Sequence, residues 1–219
     1  MRTRVAGVLL AAGEGSRLGR PKALVELDGQ TLAERGVTML RTGGADPILV
    51  VAGAVQVNVE KIHAVYNEQW RTGMGSSLRA ALRALTDAEG AQDGLAATLA
   101  VDVGAVVVAL ADQPLIGTEA VARLIAAYRG GAGVAVACYD GKPRNPVLLA
   151  REHWPEVIAA ATGDQGARGF LRAWPELVTL VECGDTGSPD DIDTPADLDR
   201  VAARYRGSKP RYIGSREPR

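Results

Sequence analysis

Residues that build redox, metal and stacking sites are scarce in this 219-residue chain: it holds two cysteines, two histidines and three tryptophans. Cys138 and Cys183 lie far apart, in or beside apolar runs, and read as small core residues in preference to a disulfide or metal pair. His63 and His153 have no partner at metal-ligand spacing, so neither takes a role. Trp70, Trp154 and Trp174 are too scattered for a stacking platform and read as half-buried core. An excess of either charge is missing too. The 25 Lys and Arg residues stand against 26 Asp and Glu, a formal net charge of −1, which excludes a global field for nucleic acid or an anionic membrane. Any polyanion must be held locally. No apolar run approaches the roughly 20 residues that span a bilayer. Met1-Arg2-Thr3-Arg4 enters strand-like sequence with no cleavage site, so a cytoplasmic chain is expected, with neither nucleic acid nor membrane as partner.

What is present is a strand and helix rhythm. At this length one core is expected, over residues 1–206, followed by a polar, basic, aperiodic tail at 207–219 expected to be mobile. Val5–Ala12 is a continuous apolar run, the pattern of a parallel strand buried on both faces. Thr31 and Glu34 form a capping box for a helix over Leu32–Arg41, stopped by Gly43-Gly44. Strands follow at Pro47–Gly53 and Lys61–Tyr66, a helix at Ser76–Leu85, and an unassigned stretch at Thr86–Val103. Ala105–Leu110 is the most strand-like segment and ends at Asp112. Thr118 is expected to cap the next helix, closed by Gly130-Gly131. Gly133–Tyr139 and Pro146–Leu149 flank a hairpin-type turn at Asp140–Pro143. Short helices are expected at His153–Ala161 and Gly166–Trp174, a strand at Leu177–Glu182, and a helix at Ala196–Arg206 with Thr194 as N-cap and Pro195 in its first turn. The rhythm predicts an α/β fold: a single three-layer domain, with a mostly parallel twisted sheet flanked by helices and right-handed crossovers.

The chain is organised around Val8–Lys22, where an apolar strand enters a glycine-rich loop and then meets cations. Glycine admits positive φ and lets backbone N–H groups approach an anion with no Cβ in the way. Arg17 offers a bidentate guanidinium and Lys22 a mobile point charge. A P-loop needs G-x-x-x-x-G-K-[ST], but Lys22 lies between Pro21 and Ala23. A dinucleotide fingerprint needs G-x-G-x-x-G, but Gly13-Glu14-Gly15-Ser16-Arg17 is followed by Leu18, and Pro21 discourages a helix running on from Gly15.

Leu10-Ala11-Ala12-Gly13 through Lys22 resembles the L-A-[AG]-G-x-[GS]-x-R-x-G-x-x-K signature of MobA-like nucleotidyltransferases of the Rossmann-like, glycosyltransferase-A-like fold. Ala109-Leu110-Ala111-Asp112-Gln113-Pro114 is similar to their L-A-D-x-P metal motif, and Asp191–Leu198 to their D-I-D-T-P-x-D-L segment. Within that superfamily the chain resembles the molybdenum cofactor cytidylyltransferase branch. Ala12 stands where guanylyl-transferring relatives carry a second glycine; Trp70–Leu78 resembles W-x-x-G-[ML]-x-x-S-L; Arg144–Val147 and Gly163–Arg168 resemble the G-[HN]-P-V and G-D-x-G-A-R segments, with Asn145 where His is frequent. The resemblance implies a nucleotide site at Leu10, Ala11, Ala12, Gly13, Glu14, Gly15, Ser16, Arg17, Lys22, Gly75, Ser76 and Ser77, with catalytic roles for Arg17, Lys22 and Asp112. It implies acceptor contacts at Asn145, Arg168 and Asp191. Its partners would be CTP or another NTP, a phosphorylated acceptor of the molybdopterin type, and a molybdoenzyme receiving the product.

The residues themselves ask for similar chemistry. Nucleotidyl transfer is mainly positioning and charge neutralisation. Mg²⁺, with Mn²⁺ as an alternative, takes one or two carboxylates and fills its shell from phosphates and water. Asp112 and Asp193 lie at or after strand ends, where open α/β sheets place their sites, and Asp191, two residues before Asp193, points the same way in an extended segment. Structural roles stand beside these: turn initiation for Asp112, helix capping for Asp193 and one of the two serines, a surface location for Arg17 and Lys22, and an ion pair for Arg168. The alternatives are a guanylyltransferase, a sugar- or polyol-phosphate nucleotidyltransferase, an NAD(P)H- or flavin-dependent reductase, and a chaperone that delivers the cofactor.

Overall fold

The computed structural model describes residues 3–87 and 102–208. Its strands are β1 (Arg4–Leu10), β2 (Glu26–Leu27), β3 (Gln30–Thr31), β4 (Ile48–Ala52), β5 (His63–Tyr66), β6 (Val103–Leu110), β7 (Val134–Tyr139), β8 (Lys142–Ala150) and β9 (Val178–Glu182). Its helices are α1 (Leu32–Thr42), α2 (Met74–Asp87), α3 (Thr118–Arg129), α4 (Trp154–Ala160), α5 (Arg168–Ala173) and α6 (Pro195–Ser208). The unassigned stretch after Thr86 lies mostly outside the described residues, as does the expected tail from 209 onward; residues 207 and 208 continue α6.

β1 organises the sheet because both of its faces are apolar. Val5 and Leu9 enter one core and Ala6, Val8 and Leu10 the other, so the strand is driven to the centre of a three-layer structure. It pairs in parallel with β4 and β6, β5 extends the sheet beyond β4, and the order is β5-β4-β1-β6-β8-β7-β9. β8 runs antiparallel between β6 and β7, while β9 returns to parallel beside β7. α1 and α3 cover one face through Val37, Leu40, Val121 and Leu124; α2, α4 and α5 cover the other through Leu78, Leu82, Trp154 and Phe170.

The capping box forms as expected: the Thr31 hydroxyl accepts from the Glu34 N–H at 3.2 Å and the Glu34 carboxylate accepts from the Thr31 N–H at 2.7 Å. Asp140 and Gly141 both take positive φ, at 50° and 73°, closing the β7–β8 hairpin with a tight turn. Thr118 does not cap α3. Gly117 holds the N-cap position, and only glycine fits there, because the Thr186 backbone passes so close that a Cβ at residue 117 would stand 1.9 Å from its carbonyl oxygen. Nor are the tryptophans uniformly half-buried: Trp154 is sealed in the core, whereas Trp174 is 47% exposed. Cys138 and Cys183 are both free and buried.

α1 approaches β1 closely because residue 36 is glycine. A Cβ there would lie 2.5 Å from Leu9 Cδ1, so the Leu9 side chain fills the notch. Leu9→Ala is expected to cost about 3–5 kcal/mol through lost transfer energy and an unfilled cavity, read as a lower urea midpoint with an unchanged denaturant slope.

Candidate active site

The loop leaving β1 turns sharply at Gly15, whose φ is +65°. A Cβ at Gly15 would meet the Arg20 carbonyl oxygen at 2.1 Å, so the loop closes this tightly only with glycine. Leu18 anchors the loop in a small third core with Val25, Leu27, Leu32 and Ile192. That core also fixes the segment carrying the late carboxylates. Ile192 is fully buried and its N–H donates to the Asp112 carbonyl at 2.9 Å, so burial of residue 192 turns Asp191 and Asp193 the other way.

The result is a cleft of about 610 Å³ at the strand ends, lined by Leu10 through Arg17, Lys22, Ser77, Asp112 and Asp193. At its base the Lys22 ammonium bridges two carboxylates, 2.7 Å from Asp112 Oδ2 and 2.6 Å from Asp193 Oδ1. Arg17 Nη2 reaches the same Asp193 oxygen at 3.0 Å. These groups lie far apart in sequence, and the fold gathers them at one point. Burial alone would lower the Lys22 pKa, but the two carboxylates outweigh it and raise it, keeping the ammonium charged. Asp112 Oδ1 is buried with no hydrogen-bond partner.

A second cavity of about 910 Å³ adjoins the first, sharing Asp193. Its walls combine apolar Val136, Val147, Leu171 and Leu180 with Arg144, Arg168, Arg172 and Arg200, and they hold Asn145 and Asp191. Buried Gln113 donates to Asp191 Oδ1 at 2.8 Å and to the Pro189 carbonyl at 3.3 Å, joining the β6 end to this segment. Partial desolvation of the Asp191 carboxyl, followed by the nearby Asp112 charge, pushes its pKa up.

The fold thus gathers Arg17, Lys22, Asp112 and Asp193, and sets Asn145, Arg168 and Asp191 next door. Of the residues expected at the nucleotide, Gly75 and Ser76 do not line the cleft. The Ser76 hydroxyl faces inward, accepting from Asn67 Nδ2 at 2.8 Å and meeting the Gln69 and Gly73 carbonyls at 2.9 and 2.8 Å. Gly75 packs on the Ala161–Thr162 backbone, where a Cβ would come within 2.8 Å. Trp70, expected only as half-buried core, lines the cleft, together with Arg71, Met74 and Asp164, to which the sequence assigns no role. Arg71 lies over the Trp70 ring, 4.4 Å from its centroid, and a Cβ at Gly53 would meet Trp70 Cβ at 2.6 Å and Ala12 Cβ at 2.9 Å. Asp164 accepts from the Met74 N–H at 3.3 Å, at the start of α2. The segments Trp70–Leu78 and Gly163–Arg168 were the available signal.

A mostly parallel sheet with carboxylates, cations and a glycine loop gathered at its strand ends defines an α/β protein acting on a ligand at that edge. The model of the MobA-like NTP transferase domain matches residues 7–178, and the chain belongs to that family of nucleotidyltransferases. It is 36% identical over 211 residues to nicotine blue oxidoreductase of Paenarthrobacter nicotinovorans, covering 90% of this chain and 96% of that protein. It is 42% identical over 103 residues to a probable molybdenum cofactor guanylyltransferase of Opitutus terrae, covering 47% of this chain and 50% of that one. Among solved structures, the homolog of Mycobacterium tuberculosis rv0371c from Mycobacterium sp. strain JC1 superimposes with a TM-score of 0.79 at 29% identity, covering 95% of this chain and all of that one. No described helix is long and apolar enough to cross a membrane.

Proposed function

We propose that this chain transfers CMP from CTP to the terminal phosphate of a molybdopterin-type cofactor, releasing pyrophosphate. The observation that carries this is the meeting of Lys22, Arg17, Asp112 and Asp193 under the glycine loop at the strand ends. An oxygen of the acceptor phosphate forms a bond to the α-phosphorus of CTP as the bond from that phosphorus to the bridging β-phosphate oxygen breaks, and the electron pair leaves with pyrophosphate. The chain forms no covalent bond; it positions the reactants and offsets their charge. The backbone of Gly13–Ser16, with Arg17 and Lys22, would hold the triphosphate. Asn145, Arg168 and Asp191 would face the acceptor in the second cavity, and a molybdoenzyme would receive the product.

Asp112 and Asp193 fit Mg²⁺ or Mn²⁺. Asp112 keeps an unpartnered buried oxygen, and one cation, the Lys22 ammonium, already reaches both carboxylates. Among the described residues no cluster of three or more His, Cys, Asp or Glu forms a metal cage, which suits an ion that completes its shell from phosphate and water. Bound there, it would neutralise charge on the triphosphate. Ala12 lies in the cleft wall, and the resemblance to cytidylyltransferases at that position is what supports CTP over GTP.

Purified protein with Mg²⁺, a molybdopterin-type acceptor and each NTP in turn is expected to release pyrophosphate, fastest with CTP. No release with any of the four would overturn the proposal, and faster release with GTP would reassign the base. The extent of identity to nicotine blue oxidoreductase favours a second reading, a reductase. Thermal shift with NADH, NADPH and flavins separates the two, since ligands of the native state raise the melting temperature; a response to these without one to NTPs would favour the reductase.

A further inference from the structure

We infer that Lys22 is the resident counter-ion of the Asp112–Asp193 pair, so that a divalent ion takes these carboxylates only with the triphosphate that draws Lys22 away. This rests on the assignment of the two carboxylates to the metal. The Lys22 ammonium lies 2.7 Å from Asp112 Oδ2 and 2.6 Å from Asp193 Oδ1, with Arg17 3.0 Å from that same Asp193 oxygen. An ion bound at about 2.0–2.1 Å from one oxygen of each carboxylate would occupy the same space between them and would place two positive charges against a third. The Lys22 side chain is only 18% exposed, so water screens that repulsion poorly. Lysine suits an exchange of partners, because its charge sits on a flexible stem and makes no fixed fork with either carboxylate. Arg17 is freer still, at 71% exposed.

A triphosphate supplies what the exchange lacks. Its oxygens offer Lys22 and Arg17 new anionic partners along the loop that lines the same cleft, and it carries the ion that replaces them at the carboxylates. Metal and nucleotide then bind with positive coupling, and each tightens the other by the same factor. Alone, the site is self-neutralised and holds a divalent ion weakly.

The test is Mn²⁺ binding followed by water-proton relaxation, which separates protein-bound Mn²⁺ from the Mn²⁺–nucleotide complex, with and without a CTP analogue whose α,β-bridge is methylene. Wild-type protein is expected to bind Mn²⁺ at least tenfold more tightly with the analogue. Without it, Lys22→Met is expected to bind Mn²⁺ at least tenfold more tightly than wild type, and Lys22→Gln to move in the same direction. Equal wild-type affinity with and without the analogue, or no gain in either variant, overturns the exchange. Failure of the underlying metal assignment looks different: Asp112→Asn would then bind Mn²⁺ as wild type does, or no protein would bind it under any condition.

Discussion

Asp112→Asn is expected to lower pyrophosphate release by roughly 10²–10³-fold, the loss seen when one preorganised electrostatic group is removed, while the melting temperature stays within a few degrees of wild type. The substitution keeps the shape of the side chain. An amide oxygen can still accept from Lys22, now 2.7 Å from Asp112 Oδ2, and Lys22 retains Asp193 at 2.6 Å. What disappears is a negative charge, which has two opposed effects on stability. It weakens the attraction to Lys22. It also relieves Asp191, whose carboxyl is pushed above its ordinary pKa first by desolvation and then by the Asp112 charge. A carboxyl whose pKa is higher folded than unfolded costs stability once pH rises above the unfolded value, so at neutral pH losing the Asp112 charge reduces that cost. Pyrophosphate assay and thermal melt together decide the matter. A near-normal rate would remove Asp112 from catalysis, and a collapse in melting temperature would make its role structural.

Much of the fold was legible because it is written in local patterns. The doubly apolar Val5–Leu10 run could only be a central strand, and Thr31 with Glu34 could be paired by spacing alone. The Asp140-Gly141 turn follows from residue types that accept positive φ. The antiparallel insertion of β8 between β6 and β7 was not legible in the same way. A hairpin partner is set by its turn, but the contact of β8 with β6 joins Ala105 to Ala150 and Val108 to Val147, across a helix and a strand, and no local pattern records it. Thr118 failed as a cap for a related reason. Its residue type was right, but the close passage of Thr186 next to Gly117 is a tertiary event.

The site divides along the same line. The gathering of Arg17, Lys22, Asp112 and Asp193 matches residues that the loop and strand-end arguments had already chosen, each on chemistry visible in its own segment. Trp70 carries no signal as an aromatic in the sequence, where the three tryptophans are too scattered to form a platform. Its relevance comes from packing beside Ala12 over Gly53, where the ends of β1 and β4 meet the turn that leads into α2. Ser76 shows the reverse case. A serine at a helix start has two uses, and this hydroxyl bonds the Asn67 side chain and backbone carbonyls; Ser77 also accepts from Asn67, at 3.0 Å, but lines the cleft. Gln113 had no signal beyond adjacency to Asp112, since its work is to reach Asp191, 78 positions away.

Gly15→Ala tests the loop itself, and Gly19→Ala is its internal control. Both glycines hold left-handed backbone, with φ of +65° and +75°, so in each variant strain alone costs about 1–2 kcal/mol, a fall of about 2–8 °C in a chain of this size. They differ in what the new methyl meets. At Gly19 nothing lies within 4 Å. At Gly15 the methyl would stand 2.1 Å from the Arg20 carbonyl oxygen and 3.2 Å from Lys22 Cγ. A backbone oxygen cannot rotate away as a side chain can, so the Arg20–Lys22 return must move and take the ammonium off its line to Asp112 and Asp193. Displacement by about 1 Å at a positioning group costs on the order of 10²-fold. The expected pattern is therefore a small loss of melting temperature in Gly19→Ala and a larger one in Gly15→Ala, with kcat/KM for CTP falling about 100-fold in Gly15→Ala and less than tenfold in Gly19→Ala. Equal activity losses would mean that backbone strain alone governs the loop. Unchanged activity in Gly15→Ala would mean that the placement of Lys22 does not limit the reaction.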